Sequence, residues 1–71
     1  MTFNIYFSEC EHDGDLDNYA DDIRKADGIV VSTLLDYDGE EGKITVETSD
    51  FKSFMEKFKQ TKSYDYSHYA N

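Results

Sequence analysis

Proline is absent from the 71 residues, cysteine occurs once, arginine occurs once, and no apolar run approaches the length of a membrane span. Each shortage excludes something. Without proline there is no proline-rich linker. With Cys10 alone there is no internal disulfide framework, and the opening Met1-Thr2-Phe3-Asn4 is neither a basic n-region nor the start of an apolar h-region, so a reducing, cytoplasmic setting is the expectation. The length is that of one domain, residues 1–71. It lies near the size at which a single hydrophobic core leaves ~3–5 kcal/mol of net stability.

Carboxylates are what the chain has in excess. Sixteen acids stand against seven bases, a formal net charge of −9. They are unevenly placed: residues 1–50 hold fourteen acids against Arg24, Lys25 and Lys43, whereas residues 51–71 hold Glu56 and Asp65 against four lysines. A field of this sign repels nucleic acid and anionic membranes and steers basic protein surfaces toward itself. The plainer reading is solubility alone.

The centre of the chain, residues 28–48, reads as a β-hairpin. Ile29 to Leu35 is aliphatic and β-branched, Lys43 to Thr48 alternates Ile44 and Val46 with polar residues, and two glycines punctuate the acidic stretch Asp36 to Gly42 between them. Its register stays open, since either Val31, Thr33 and Leu35 or Val30, Ser32 and Leu34 can face the core. Before it, Phe3, Ile5 and Phe7 alternate with Asn4 and Tyr6 as a first strand. A polar loop, Glu9 to Gly14, leads to a helix with Asp15 as N-cap, an apolar stripe at Leu16, Tyr19, Ala20 and Ile23, and Gly28 placed to end it. After the hairpin, Ser49 or Asp50 caps a second helix with Phe51, Phe54, Met55 and Phe58 on one face. Residues 63–71 read as a last strand or a flexible tail. The order βαββα(β) is that of a ferredoxin-like α+β domain, an antiparallel sheet with two helices on one face.

Candidate chemistry is sparse. Asp13, Asp15 and Asp17 are spaced like the first ligands of a calcium loop, but that loop's glycine would be Asn18 and its bidentate glutamate would be Arg24. Cys10, His12 and His68 are too few for a structural zinc site. There is no nucleophile elbow and no phosphate-binding glycine loop, and an anion pocket would have only Arg24 to draw on. The expectation is a binding protein, with no catalytic residue, no metal and no cofactor.

The acidic surface is what remains as a site. Glu9, Glu11, Asp13, Asp15, Asp17, Asp21 and Asp22 run from the first loop into the first helix, and Asp36, Tyr37, Asp38, Glu40 and Glu41 line the hairpin turn. Asp17 and Asp21 lie one helical turn apart, about 6 Å along the axis. That is comparable to the spacing of neighbouring phosphates on one strand, so such carboxylates fit a groove built from lysine and arginine. Tyrosines are enriched at interfaces, though any one of the six is more often a sheet or core residue.

In size, charge and architecture the chain resembles the small acidic phage-encoded inhibitors of bacterial defence, the anti-CRISPR and DNA-mimic type. That resemblance covers the whole chain without a diagnostic motif. It implies a stoichiometric inhibitor in the bacterial cytoplasm whose partner is a basic nucleic-acid-binding protein such as a Cas effector. The alternative is a small regulatory or immunity-type module that dimerises or binds protein through an apolar open sheet face, its acidity serving solubility.

Overall fold

The computed structural model describes residues 1–8, 10, 13–36 and 41–70, with 13, 69 and 70 described by backbone alone. Six elements follow in order, β1 (Thr2–Phe7), α1 (Asp13–Lys25), β2 (Ile29–Asp36), β3 (Glu41–Glu47), α2 (Phe51–Phe58) and β4 (Ser67–Ala70), with a 3-10 turn at Lys62–Tyr66 before the last strand. The strands form one antiparallel sheet in the order β2-β3-β1-β4. This is the ferredoxin-like arrangement, in which β3 separates the two parallel strands of the first βαβ unit.

One face of the sheet carries the core. Phe3, Ile5 and Phe7 of β1 and Ile44 and Val46 of β3 point to the helices and are buried, and they meet Leu16, Ala20 and Ile23 of α1 and Phe54 and Phe58 of α2. Much of the packing is aromatic. Phe7 stacks on Tyr19 at 4.4 Å between ring centroids and meets Phe58 edge-on, while Phe3 meets Phe51 edge-on. Among the described residues no helix lies on the sheet's other face, which on its two central strands presents polar side chains, with Thr45 Oγ1 donating to Asn4 Oδ1 across the β1–β3 pair at 2.7 Å.

Helix ends follow local chemistry. Asp50 caps α2 by accepting from the Ser53 N–H at 3.1 Å. α1 begins at Asp13, two residues before the expected cap, so Asp15 sits inside the first turn, where its charge still complements the free N–H groups. Its C-terminus also departs from expectation. The left-handed position belongs to Asp27, at φ 68°, and the amides of Asp27 and Gly28 donate to Arg24 and Ile23 in a Schellman cap. Gly28 is needed for space, because a Cβ there would lie 2.6 Å from Phe54 Cε1 and 2.8 Å from Ile23 Cγ2.

β2 resolves its register in a way neither periodic set anticipated. Val30 pairs with Val46, Ser32 with Thr45, and Val31 is the extra residue of a bulge between them. The helix-side face therefore takes Val30 from one set and Thr33 and Leu35 from the other, since these oppose the inward-facing Val46, Ile44 and Gly42. The C-terminal segment divides as well. Tyr64 and Tyr66 lie in the 3-10 turn, and only Ser67–Ala70 pairs with β1.

Candidate functional site

The topology brings two acidic segments distant in sequence to one end of the sheet. β1 finishes at Phe7, opposite Gly42, and β2 finishes at Asp36, opposite Glu41. The first turns of α1 lie against that end, for a Cβ on Gly42 would be 2.6 Å from Leu16 Cδ1 and 2.9 Å from Cys10 Sγ. Asp15 and Asp17 of α1 thus share an end of the molecule with Asp36 and Glu41 of the hairpin. Asp13 is described there by its backbone, and Glu9, Glu11, Tyr37, Asp38 and Glu40 lie outside the described residues.

The carboxylates of α1 divide between its two flanks. A helix turns by about 100° per residue, which sends Asp15, Tyr19 and Asp22 to one side of the buried stripe and Asp17, Asp21 and Arg24 to the other. The first flank faces the 3-10 turn, with the Tyr19 ring 6.0 Å from that of Tyr66 and Asp22 Oδ2 accepting from Ser63 Oγ at 2.6 Å. Ser63 is buried and Asp22 half-buried, so Asp22 pins α1 to the turn and is not part of the open acidic surface. The second flank is solvent-exposed, on the side of α1 away from the 3-10 turn, and α1 itself packs near β2. Asp21 pairs with Arg24 at 3.2 Å, but both side chains are more than half exposed, and such pairs contribute ~0–1 kcal/mol.

Other candidates resolve physically. The Cys10 thiol is buried, and burial foremost, then the Asp15 charge, push its pKa up against the opposing pull of a hydrogen bond from the Gly42 backbone. That favours the neutral thiol over the nucleophilic thiolate. His68 pairs with Tyr6, whose side chain is on the open face of the sheet, the opposite face from Cys10, so the two cannot share a metal. His12 lies outside the described residues, among which no group of three histidine, cysteine or acidic side chains is placed to hold an ion. The helical backbone also sends Asp15 and Asp17 to different flanks, which undoes the calcium-loop spacing.

Among the surface depressions formed by the described residues, two adjoin the elements above. The larger, about 560 Å³, opens between α2 and the 3-10 turn over Ile5 and Phe58, with Lys59 and Asp65 at its rim. The smaller, about 230 Å³, lies on the open face beside the hairpin, lined by Tyr6, Leu34, Asp36, Glu41, Gly42 and Lys43.

One of the two largely apolar sets of β2 is expected to point away from the helices. On that strand Ile29, Val31 and Leu34 are 63%, 55% and 60% exposed. The available signal was that both alternating sets of β2 are apolar.

Fold and surface together define a small acidic α+β domain with an apolar strand at one edge of its sheet. Compared with protein-family models, curated proteins and solved structures, the chain matches none.

Proposed function

We propose that this protein is a stoichiometric inhibitor of the anti-CRISPR kind, acting in the bacterial cytoplasm by laying its acidic surface into a basic nucleic-acid-binding site of a defence effector. The observation that carries this reading is the convergence of α1 and the hairpin, which gathers Asp15, Asp17, Asp36 and Glu41 at one end with Asp21 a turn further along the helix. Rigid elements hold these charges, so little entropy is lost in placing them against lysine and arginine. The target's lysines and arginines gain carboxylate partners in place of phosphates, and nucleic acid is excluded from the same groove.

Dimerisation through the open face is the weaker account, because the central strands present Asn4, Lys43 and Thr45 there and a stable dimer interface has an apolar centre.

The test is inhibition of DNA binding by a panel of purified RNA-guided effectors, with the wild-type chain and an Asp17→Lys/Asp21→Lys variant. Both residues are exposed, so circular dichroism should show the fold unchanged. Inhibition of one effector should weaken tenfold or more in the variant and fade as salt rises. Equal inhibition by both chains would remove the reading.

A further inference from the structure

We propose that the outer edge of β2 takes up an extended, lysine- or arginine-bearing segment of the target as a fifth strand. β2 ends the strand order, so among the described residues the outward row of N–H and C=O groups along residues 29–36 has no partner strand in the sheet. Long edges are usually blunted by lysine, proline, shortness or a covering element. β2 is eight residues long and contains no lysine, arginine or proline, and the bulge at Val31 and the terminal Asp36 are what it has of such devices. Apart from Met1, the exposed aliphatic side chains among the described residues are Ile29, Val31 and Leu34, all on this strand.

Charge selects the occupant. A strand added here would run beneath the flank of α1 that carries Asp17 and Asp21, one turn apart at about 6 Å. Side chains on one face of a strand repeat every ~6.6–6.8 Å, so basic residues at alternate positions match that pair. On the open face, the 230 Å³ depression sets Leu34 and Tyr6 beside Asp36 and Glu41, two carboxylates against the one lysine, Lys43, of its lining. Such a dish accepts the aliphatic stem of a lysine or arginine along with its cationic head. A second copy of the chain fits poorly, because two bodies of charge −9 would bring the same carboxylates together. The inference rests on the proposed function only in taking the target's surface to be basic.

The experiment is an NMR titration of the ¹⁵N-labelled chain with synthetic ten-residue peptides that alternate valine with lysine. An alternating valine–glutamate peptide and two N-methylated forms of the lysine peptide, each methylated at every second residue so that one edge loses its donors, are the controls. The lysine peptide should shift the amides of residues 29–36, the glutamate peptide should not, and methylating one edge should weaken binding at least tenfold while methylating the other does not. Asp17→Asn/Asp21→Asn should weaken it several-fold. The inference is overturned if residues 29–36 do not move at millimolar peptide or if both methylated peptides bind as the parent does. It is equally overturned if the shifts centre on β4, or if the chain itself forms a dimer through β2 that salt strengthens. Failure here alongside an intact effect of Asp17→Lys/Asp21→Lys on inhibition removes the added strand alone. Peptide binding with inhibition unaffected removes the groove-blocking function alone.

Discussion

At the scale of single residues, glycines and one aspartate bear the tightest constraints. Gly28→Ala should cost ~1–3 kcal/mol in urea denaturation, the range for overpacking, since its Cβ would press on Phe54 and Ile23 in a closed core. Asp27→Gly should lie within ~1 kcal/mol of wild type, because relief of a left-handed backbone offsets the lost surface pair with Lys57. A larger loss from Asp27→Gly than from Gly28→Ala would reverse the assignment of roles at this cap. Cys10 should resist thiol reagents in the native state and react at the rate of unfolding as urea is added. Its folded pKa is raised, so its contribution to stability is complete below the unfolded thiol pKa, about 8.5, and is lost as pH rises through the folded value. Thermal unfolding followed from pH 7 to 10 should therefore fall less steeply for Cys10→Ala than for wild type.

At the scale of elements, the 3-10 turn that leads into the last strand is tied to both α1 and β1. Ser63 donates to Asp22, the Ser8 amide donates to Tyr66 O at 2.9 Å, and Ser67 Oγ donates to Tyr64 O at 2.7 Å. Ser63→Ala leaves a half-buried carboxylate without its short hydrogen bond, which should cost ~1–3 kcal/mol. Hydrogen exchange should locate that loss first in β4. If exchange there is unchanged, the turn does not depend on Asp22. Phe7→Ala removes the ring shared by Tyr19 and Phe58, and a loss of ~3–5 kcal/mol would consume the whole stability expected of so small a domain. Circular dichroism at 25 °C should show that variant largely unfolded.

At the scale of the whole molecule, charge acts against compactness. With a net charge of −9 and the Asp21–Arg24 and Asp27–Lys57 pairs solvent-exposed, raising NaCl from 20 to 200 mM should raise Tm by screening self-repulsion. A Tm that falls over that range would show the pairs to outweigh the repulsion. The same screening should weaken any complex with a basic target, so salt has opposite signs on fold and on function.

The order of elements through α2, the first strand, both helical stripes and, to within Ser49 or Asp50, the cap of α2 were legible in the sequence because each is a local pattern, period two, period 3.6, or a capping side chain before an apolar face. Charge excess was legible too, being a sum over residues. Tertiary structure alone decided the register of β2, because a bulge at Val31 changes the facing parity midway and no alternation can reveal a residue that opposes nothing. It also decided that Asp27 takes the left-handed position, since the contact that occupies Gly28 comes from Phe54, on another helix. The division of the α1 carboxylates had the same origin: Asp22 turns inward to Ser63, 41 residues away in sequence, while Asp17 and Asp21 stay exposed. Which acids are available to a partner is a question of what each flank packs against, and that is set by contacts between segments that the local sequence does not encode.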